Sequence, residues 1–268
     1  MTQFWCNGEW QAQLPTSPLD RGHLHGLALF ETLLAVNGVP RFADRHLIRL
    51  AKGCEKLGWS IPHPDLSATM EELLLRNGLE KGRARIRLTM TAGSGALDDL
   101  APGDGHLLWM AAFPTPEPPL SQAVTHSPWP RNENSPLAGL KCASYAENLI
   151  ALDHARRLGF DEVVFTNTTG ILCEAATANV FIVKNGQILT PSLDSGCLPG
   201  ITREILLEQH ECLETALTYL DLLAADEIFL TSSTRGPVPV TRVGEMAFHS
   251  GPVTKELREG WLAAHHQP

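Results

Sequence analysis

The sequence predicts a mixed α/β protein in two parts, and three observations carry that reading. Asn-Gly pairs recur between apolar stretches, at Asn7-Gly8, Asn37-Gly38 and Asn185-Gly186. Asn-Gly suits the positive-φ backbone of tight hairpin turns, so each pair predicts a β-hairpin. Between the pairs run segments with apolar residues three and four apart, and midway lies a stretch too rich in proline for regular structure.

Taken in order, Ala43 to Leu57 places Leu47, Leu50, Ala51 and Cys54 on one helical face, and Leu66 to Leu79 repeats the spacing with Met70, Leu73 and Leu74. Arg83 to Thr91 and His106 to Phe113 read as strands. Phe113-Pro-Thr-Pro-Glu-Pro-Pro-Leu120 then holds four prolines and is excluded from helix or sheet interiors. These observations divide a small N-terminal α+β domain (1–113) from a larger C-terminal domain (122–268), with a linker at 114–121. The second domain begins with strand material near Val124. Its clearest hairpin runs from Asn179 to Lys184, turns at Asn185-Gly186 and returns over Gln187 to Thr190. No internal repeat or low-complexity tract interrupts the pattern.

Composition narrows the function. Among 268 residues, 43% are hydrophobic and the formal net charge is −9, with no basic run. That argues against a nucleic-acid partner. No apolar run reaches the roughly 20 residues of a membrane span, and the first ten residues lack the basic start of a signal peptide. The six cysteines stand far apart with no Cys-x-x-Cys pair, so neither a zinc site nor a disulfide framework is expected. Reduced thiols point to the cytoplasm.

Four segments between Arg131 and Gly236 could carry chemistry. Lys141 precedes Ser144-x-x-Glu147, a capping-box pattern that opens a helix. An amine beside a helix start and out of water has a lowered pKa, as a Schiff-base lysine requires, although such lysines are commonly solvated. Glu174 stands between apolar strand-like runs, either paired or turned to solvent. Leu198-Pro199-Gly200-Ile201-Thr202 opens a helix whose free amides and hydroxyl suit a phosphate, or simply starts a helix. Asp226 to Leu230 reads as a strand that runs into Thr231-Ser-Ser233-Thr234, hydroxyls that suit phosphate oxygens or a structural turn.

The order of these segments resembles the class IV aminotransferase family, the fold-type IV pyridoxal-phosphate enzymes. The likeness begins at Leu19-Asp20-Arg21-Gly22, Phe30-Glu31-Thr32 and His46-x-x-Arg49-Leu50. It continues through Arg131-Asn132-x-x-Ser135-Pro136-Leu137, Lys141, Glu174-x-x-Thr177-Ala-Asn179, Leu198-Pro-Gly-Ile-Thr202 and Glu227-Ile-Phe-Leu-Thr-Ser-Ser-Thr234. The resemblance implies a pseudo-barrel for the C-terminal domain. It also implies a homodimer in which the neighbouring subunit helps to close each active site. Pyridoxal 5′-phosphate is the implied cofactor and a small amino compound the implied substrate. Lys141 matches the lysine that binds the cofactor covalently and shuttles the proton. Glu174 matches the carboxylate facing the pyridine nitrogen, and Tyr145 the tyrosine at the phenolic oxygen. Arg49, Ile201, Thr202, Ser233 and Thr234 match the phosphate contacts, and Leu198 the residue packed on the ring. No metal is implied.

Two outcomes are open within the family. Asp20-Arg21-Gly22 with Phe30-Glu31-Thr32, the helix from Arg49 to Trp59 and Arg131-Asn132 resemble aminodeoxychorismate lyases, which form 4-aminobenzoate and pyruvate on the folate route. Tyr145 is more like the transaminases that act on branched-chain amino acids, D-amino acids or amines. Gly26-Leu27-Ala28 replaces the family's usual Gly-Asp-Gly. Gly93-Ser-Gly95-Ala96-Leu97 lacks the arginine that many lyases carry there, which removes an obvious partner for a substrate carboxylate. A non-catalytic protein that kept the fold is a third possibility. His23 and His25 alternate as on a strand, without the further ligand that a metal pair needs.

Overall fold

The computed structural model describes residues 2–60 and 66–266. Two compact units divide them. The first runs to Glu117 and includes Leu140–Tyr145; the second comprises Pro118–Gly139 and the chain from Ala146 onward. Lys141 therefore belongs to the first unit.

The first unit contains β1 (Phe4–Cys6), β2 (Glu9–Gln11), α1 (Arg21–His25), β3 (Ala28–Val36), β4 (Val39–Pro40), α2 (Ala43–Lys56), α3 (Ser67–Arg76), β5 (Arg83–Thr91) and β6 (Leu108–Pro114). Its antiparallel sheet has the order β2-β1-β6-β5-β3-β4. The turns β1–β2 and β3–β4 lie at the expected Asn-Gly pairs, with φ of 48° and 94° at Asn7-Gly8 and 49° and 79° at Asn37-Gly38. Leu47, Leu50, Met70, Leu73 and Leu74 from α2 and α3 pack on Leu33, Ile86, Leu88 and Met110 of the sheet, as their 3–4 spacing requires.

The segment of His23 and His25 is a helical turn, not a strand. Asp20 caps it by accepting from Gly22 N–H at 2.7 Å, and its other oxygen accepts from Thr91 Oγ1 at 2.6 Å. Arg21, 2% exposed, donates to the carbonyls of Ala92, Gly93, Ala96, Asp99 and Ala101. Gly95 makes room for it, because a Cβ there would lie 2.8 Å from the Arg21 Cζ. One guanidinium thus organises the loop that follows β5.

The second unit contains β7 (Gln122–His126), α4 (Ala146–Arg157), β8 (Glu162–Thr166), β9 (Leu172–Ala175), β10 (Asn179–Lys184), β11 (Gln187–Pro191), α5 (Ile201–Gln209), β12 (Cys212–Thr215), α6 (Tyr219–Leu223), β13 (Glu227–Ser232), β14 (Gly236–Val243), β15 (Met246–Ala247) and α7 (Pro252–His265). Its sheet has the order β12-β11-β10-β13-β14-β7-β8-β9, with β15 beside β14. The last strand, β9, returns beside β10, so the sheet curls on itself around Val124, Val164, Leu172, Val180, Ile228, Leu230 and Val240. A second core packs Ala151, Leu152 and Ala155 of α4 on Val163, Phe165 and Cys173.

The C-terminal helix is tied to β13 and β14. The Glu227 carboxylate accepts from Val253 and Thr254 N–H, at 3.2 and 2.7 Å, and so caps α7 from the neighbouring strand. Trp261 lies against Gly236, where a Cβ would strike the indole and φ is +64°. The start of α4 also differs from the sequence reading. α4 begins at Ala146, two residues beyond Ser144 of the expected capping box; Ser144 Oγ donates to Gly26 O at 3.3 Å, and Glu147 faces Arg131 at 3.6 Å. Tertiary partners outcompete the local bonds at that helix start. Among the described residues no helix is long and apolar enough to cross a membrane.

Replacing Arg21 by Met keeps its bulk and leaves several loop carbonyls without their donor. We expect a loss of about 3 kcal/mol in denaturant unfolding, and faster proteolysis within 93–103.

Candidate active site

In the first unit the residues carried over from the family gather around Phe30. The segment Leu140–Tyr145 lies alongside β3, through Phe30 N–H to Lys141 O at 2.9 Å and Ala143 N–H to Ala28 O at 2.7 Å. This pairing sets the Lys141 Nζ 4.4 Å from the centre of the Phe30 ring and 6.0 Å from that of Tyr145. Tyr145 meets Phe30 edge-on, at 5.7 Å and 80°. The third group on Phe30 is Arg87 of β5, with its Cζ 3.4 Å from the ring centre and Nε donating to Thr89 Oγ1 at 3.0 Å. Burial pushes the Arg87 guanidinium down to about 10, against the opposing pull of Tyr145 and Glu31, so it is charged at neutral pH.

Arg49 is held from below. Glu31, 1% exposed, accepts from Arg49 Nε at 2.8 Å and Nη2 at 2.6 Å, and lies 2.6 Å from His46 Nδ1. Burial alone would raise the Glu31 carboxyl. The charge and hydrogen bonds of Arg49, joined by His46, overturn that and hold it at about 2. His46 is wholly buried and its pKa is lowered, first by burial and then by the charges of Arg49 and Lys141, against the pull of Glu31. It is therefore a neutral imidazole that donates through Nδ1 to an ionised Glu31.

In the second unit the turn between β9 and β10 is the organising element. Glu174 Oε2 accepts from Leu198 N–H at 2.9 Å, while Oε1 lies 3.6 Å from Arg131 Nη2. Arg131 in turn lies over the Phe165 ring at 4.3 Å and donates from Nη1 to Asn148 Oδ1 at 3.1 Å. Asn179 Nδ2 donates to Leu198 O at 2.8 Å. Gly200, the residue before α5, has no side chain to cap the helix, and a Cβ there would collide with Asn179 Oδ1. Ile201 and Thr202 form the first turn of α5, each 3% exposed. Ser233 and Thr234 occupy a half-buried turn after β13, which Arg235 N–H closes onto Ser232 O at 3.2 Å. An open groove of about 640 Å³ beside Gln187, His210 and Trp261 includes none of these residues.

The fold therefore brings Lys141, Tyr145 and, through Glu31, Arg49 into one cluster. It brings Glu174, Leu198 and the start of α5 into another. Sequence reasoning missed Arg87, Arg235 and the pairing of Arg131 with Glu174. Arg83, Arg85 and Arg87 share one face of a strand by period-two spacing, but only the fold puts Arg87 beside a lysine. Among the described residues no three His, Cys, Asp or Glu side chains gather as a metal-binding set.

The first unit thus offers a lysine on an aromatic ring, and the second a curled mixed sheet with a carboxylate paired with an arginine near an uncapped helix start, groups of the kind that pyridoxal-phosphate enzymes use. Residues 28–243 match the amino-transferase class IV family, and the chain belongs to it. The chain is 30% identical over 272 residues to the aminodeoxychorismate lyase of Bacillus subtilis (strain 168), spanning 95% of this chain and 92% of that protein. It is 29% identical over 274 residues to a putative branched-chain-amino-acid aminotransferase of Methanocaldococcus jannaschii, spanning 96% and 94%. Among solved structures it resembles the T.th. branched-chain amino acid aminotransferase complexed with N-(5′-phosphopyridoxyl)-L-glutamate. That likeness has a TM-score of 0.88 at 26% identity and covers 98% of this chain and 93% of the other. The family's cofactor is pyridoxal 5′-phosphate. The groups present fit it chemically: a primary amine, a half-buried carboxylate held by an arginine and an amide, and a helix start free of side-chain caps.

The Glu31 cluster has a measurable pH signature. Its folded carboxyl lies at about 2, below the ordinary value of 4.5, so its contribution is complete above 4.5 and disappears as pH falls towards 2. Glu31→Gln should therefore lower the thermal midpoint most at pH 7. The gap to the unsubstituted protein should narrow steadily below pH 4.5; a gap that is constant with pH would contradict this account.

Proposed function

We propose that the protein is a 4-amino-4-deoxychorismate lyase that releases 4-aminobenzoate and pyruvate. The observation that carries this reading is Arg87. The loop after β5 has Gly93-Ser-Gly95-Ala96 where many lyases place an arginine, which leaves a doubly carboxylated substrate without an obvious partner. Arg87 supplies a half-buried, charged guanidinium on the same aromatic ring as Lys141. The similarity to the B. subtilis lyase over nearly the whole chain supports the same reading.

In this reading Lys141 Nζ would hold the cofactor covalently and would move the proton from the substrate's reacting carbon. Bound there, pyridoxal phosphate supplies an electron sink that makes loss of that proton possible. Glu174 holds a proton at the ring nitrogen, and Arg131 together with Leu198 N–H fixes the carboxylate for that task. The Tyr145 hydroxyl would hydrogen-bond the phenolic oxygen, and Leu198 would pack on the ring. Arg49, Ile201, Thr202, Ser233 and Thr234 bind the phosphate. Arg87 orients a substrate carboxylate towards Lys141.

A second reading is an aminotransferase, favoured by Tyr145 and by the relatives that carry that name. Both readings share the lysine and the cofactor, and the fate of the substrate separates them. We further propose a cytoplasmic homodimer, supported by the exposed Leu19, Leu24 and Leu97 of the first unit.

A spectral half-reaction on cofactor-loaded protein tests the choice. Steady 4-aminobenzoate release from aminodeoxychorismate with an unchanged cofactor spectrum is expected. Stoichiometric conversion to the pyridoxamine form by D-alanine, L-leucine or L-glutamate would make it an aminotransferase. Lys141→Ala should abolish the cofactor link that borohydride fixes, and persistence of that link would remove Lys141 from its role. Arg87→Ala should lower kcat/KM for the dicarboxylate by about ten- to a hundredfold, the worth of one charge-assisted contact. It should leave the borohydride-fixed link in place.

A further inference from the structure

The turn from Ser232 to Arg235 is gripped by its own last side chain. Arg235 N–H closes the turn onto Ser232 O, and the side chain folds back so that Nε donates to Ser232 Oγ at 2.9 Å. Nη2 reaches beyond the turn and donates to Thr177 Oγ1 at 2.7 Å and to Thr177 O at 3.3 Å. The Thr177 hydroxyl passes the interaction on by donating to the Glu162 carboxylate, which is 1% exposed. A guanidinium only donates, so the direction of the relay is set: Arg235 to Thr177 to Glu162. On the far side of the turn, Gly236 is pinned by Trp261.

We propose that Arg235 is a positioning residue for the phosphate of pyridoxal phosphate, an inference that rests on the assignment of Ser233 and Thr234 to that phosphate. Those two residues are the corners of the turn, and both of its ends are held by the one arginine side chain. A hydroxyl-rich loop after a strand end is mobile unless tied down. An anion site gains affinity when its donors are fixed before the ligand arrives. Thr177 lies in the turn after β9, three residues beyond Glu174 of that strand, so the tether joins the proposed phosphate loop to the segment of the proposed ring-nitrogen acid. Arg235 acts through the turn, and no contact of its own with the ligand is required.

Apoprotein titrated separately with pyridoxal phosphate and with pyridoxal tests this, using Arg235→Gln, Thr177→Val, the double variant and Ser233→Ala. Each of the first two should weaken pyridoxal phosphate about tenfold and leave pyridoxal within about twofold. The double variant should be no worse than Arg235→Gln alone, because that substitution already removes the bond to Thr177. Arg235→Lys, which keeps one donor and the charge, should recover part of the loss and covers the case in which Arg235→Gln fails to fold. If Arg235→Gln weakens binding but Thr177→Val does not, the arginine acts by direct contact and the tether is refuted. Equal affinity in Arg235→Gln with a loss in Ser233→Ala overturns the proposal alone. No loss in either variant overturns the phosphate assignment as well.

Discussion

The second unit depends on one short turn whose polar side chains all reach outward. Between β9 and β10 the backbone closes from Ala175 N–H to Ala178 O at 2.8 Å. Glu174 then takes the amide of Leu198 and faces Arg131, Thr177 joins Arg235 to Glu162, and Asn179 holds the carbonyl of Leu198. Polar groups at this depth cost several kcal/mol if they are left without partners. Each must find one, and the partners lie on four other segments, at Leu198, Arg131, Arg235 and Glu162. Satisfying the turn thereby places the start of α5, the Arg131 segment and the loop after β13.

The first unit solves a related problem with the opposite charge. Arg49, Arg87 and Lys141 bring positive charge to one region, and Glu31 is the buried carboxylate that balances it. The Phe30 ring accepts Arg87 and Lys141 on its π-system, which tolerates cations without neutralising them. His46 remains neutral because burial and two neighbouring cations oppose its protonation. The result is a region biased towards anions, with one arginine pre-oriented by a bidentate bond and another held over an aromatic face.

Much of this was legible in the sequence where the signal is local. The three Asn-Gly pairs are three hairpin turns, because few other residues adopt consecutive positive φ. The 3–4 apolar spacing located α2 and α3 to within a few residues. Local signals failed where a distant group offered a better bond. α4 begins two residues beyond Ser144, whose Oγ donates to Gly26 O, and the residues around His23 form a helical turn under Asp20 and Thr91. The Asp20-Arg21-Gly22 motif was legible as a family mark. Its physical role as a loop clamp was not, since the carbonyls that Arg21 serves lie 71 to 80 positions away.

By itself the sequence determined the hairpins, the helical faces, the family and, through it, the cofactor, because turn chemistry, periodicity and ordered motifs are properties of neighbouring residues. Only the tertiary structure decided which arginines matter. Arg87, Arg131 and Arg235 resemble many other arginines in the chain until β3 and β5 pair, β9 returns beside β10, and a ring, a carboxylate or a hydroxyl from a distant segment comes within reach. Charge–partner geometry is set by three-dimensional proximity, which no spacing along the chain encodes.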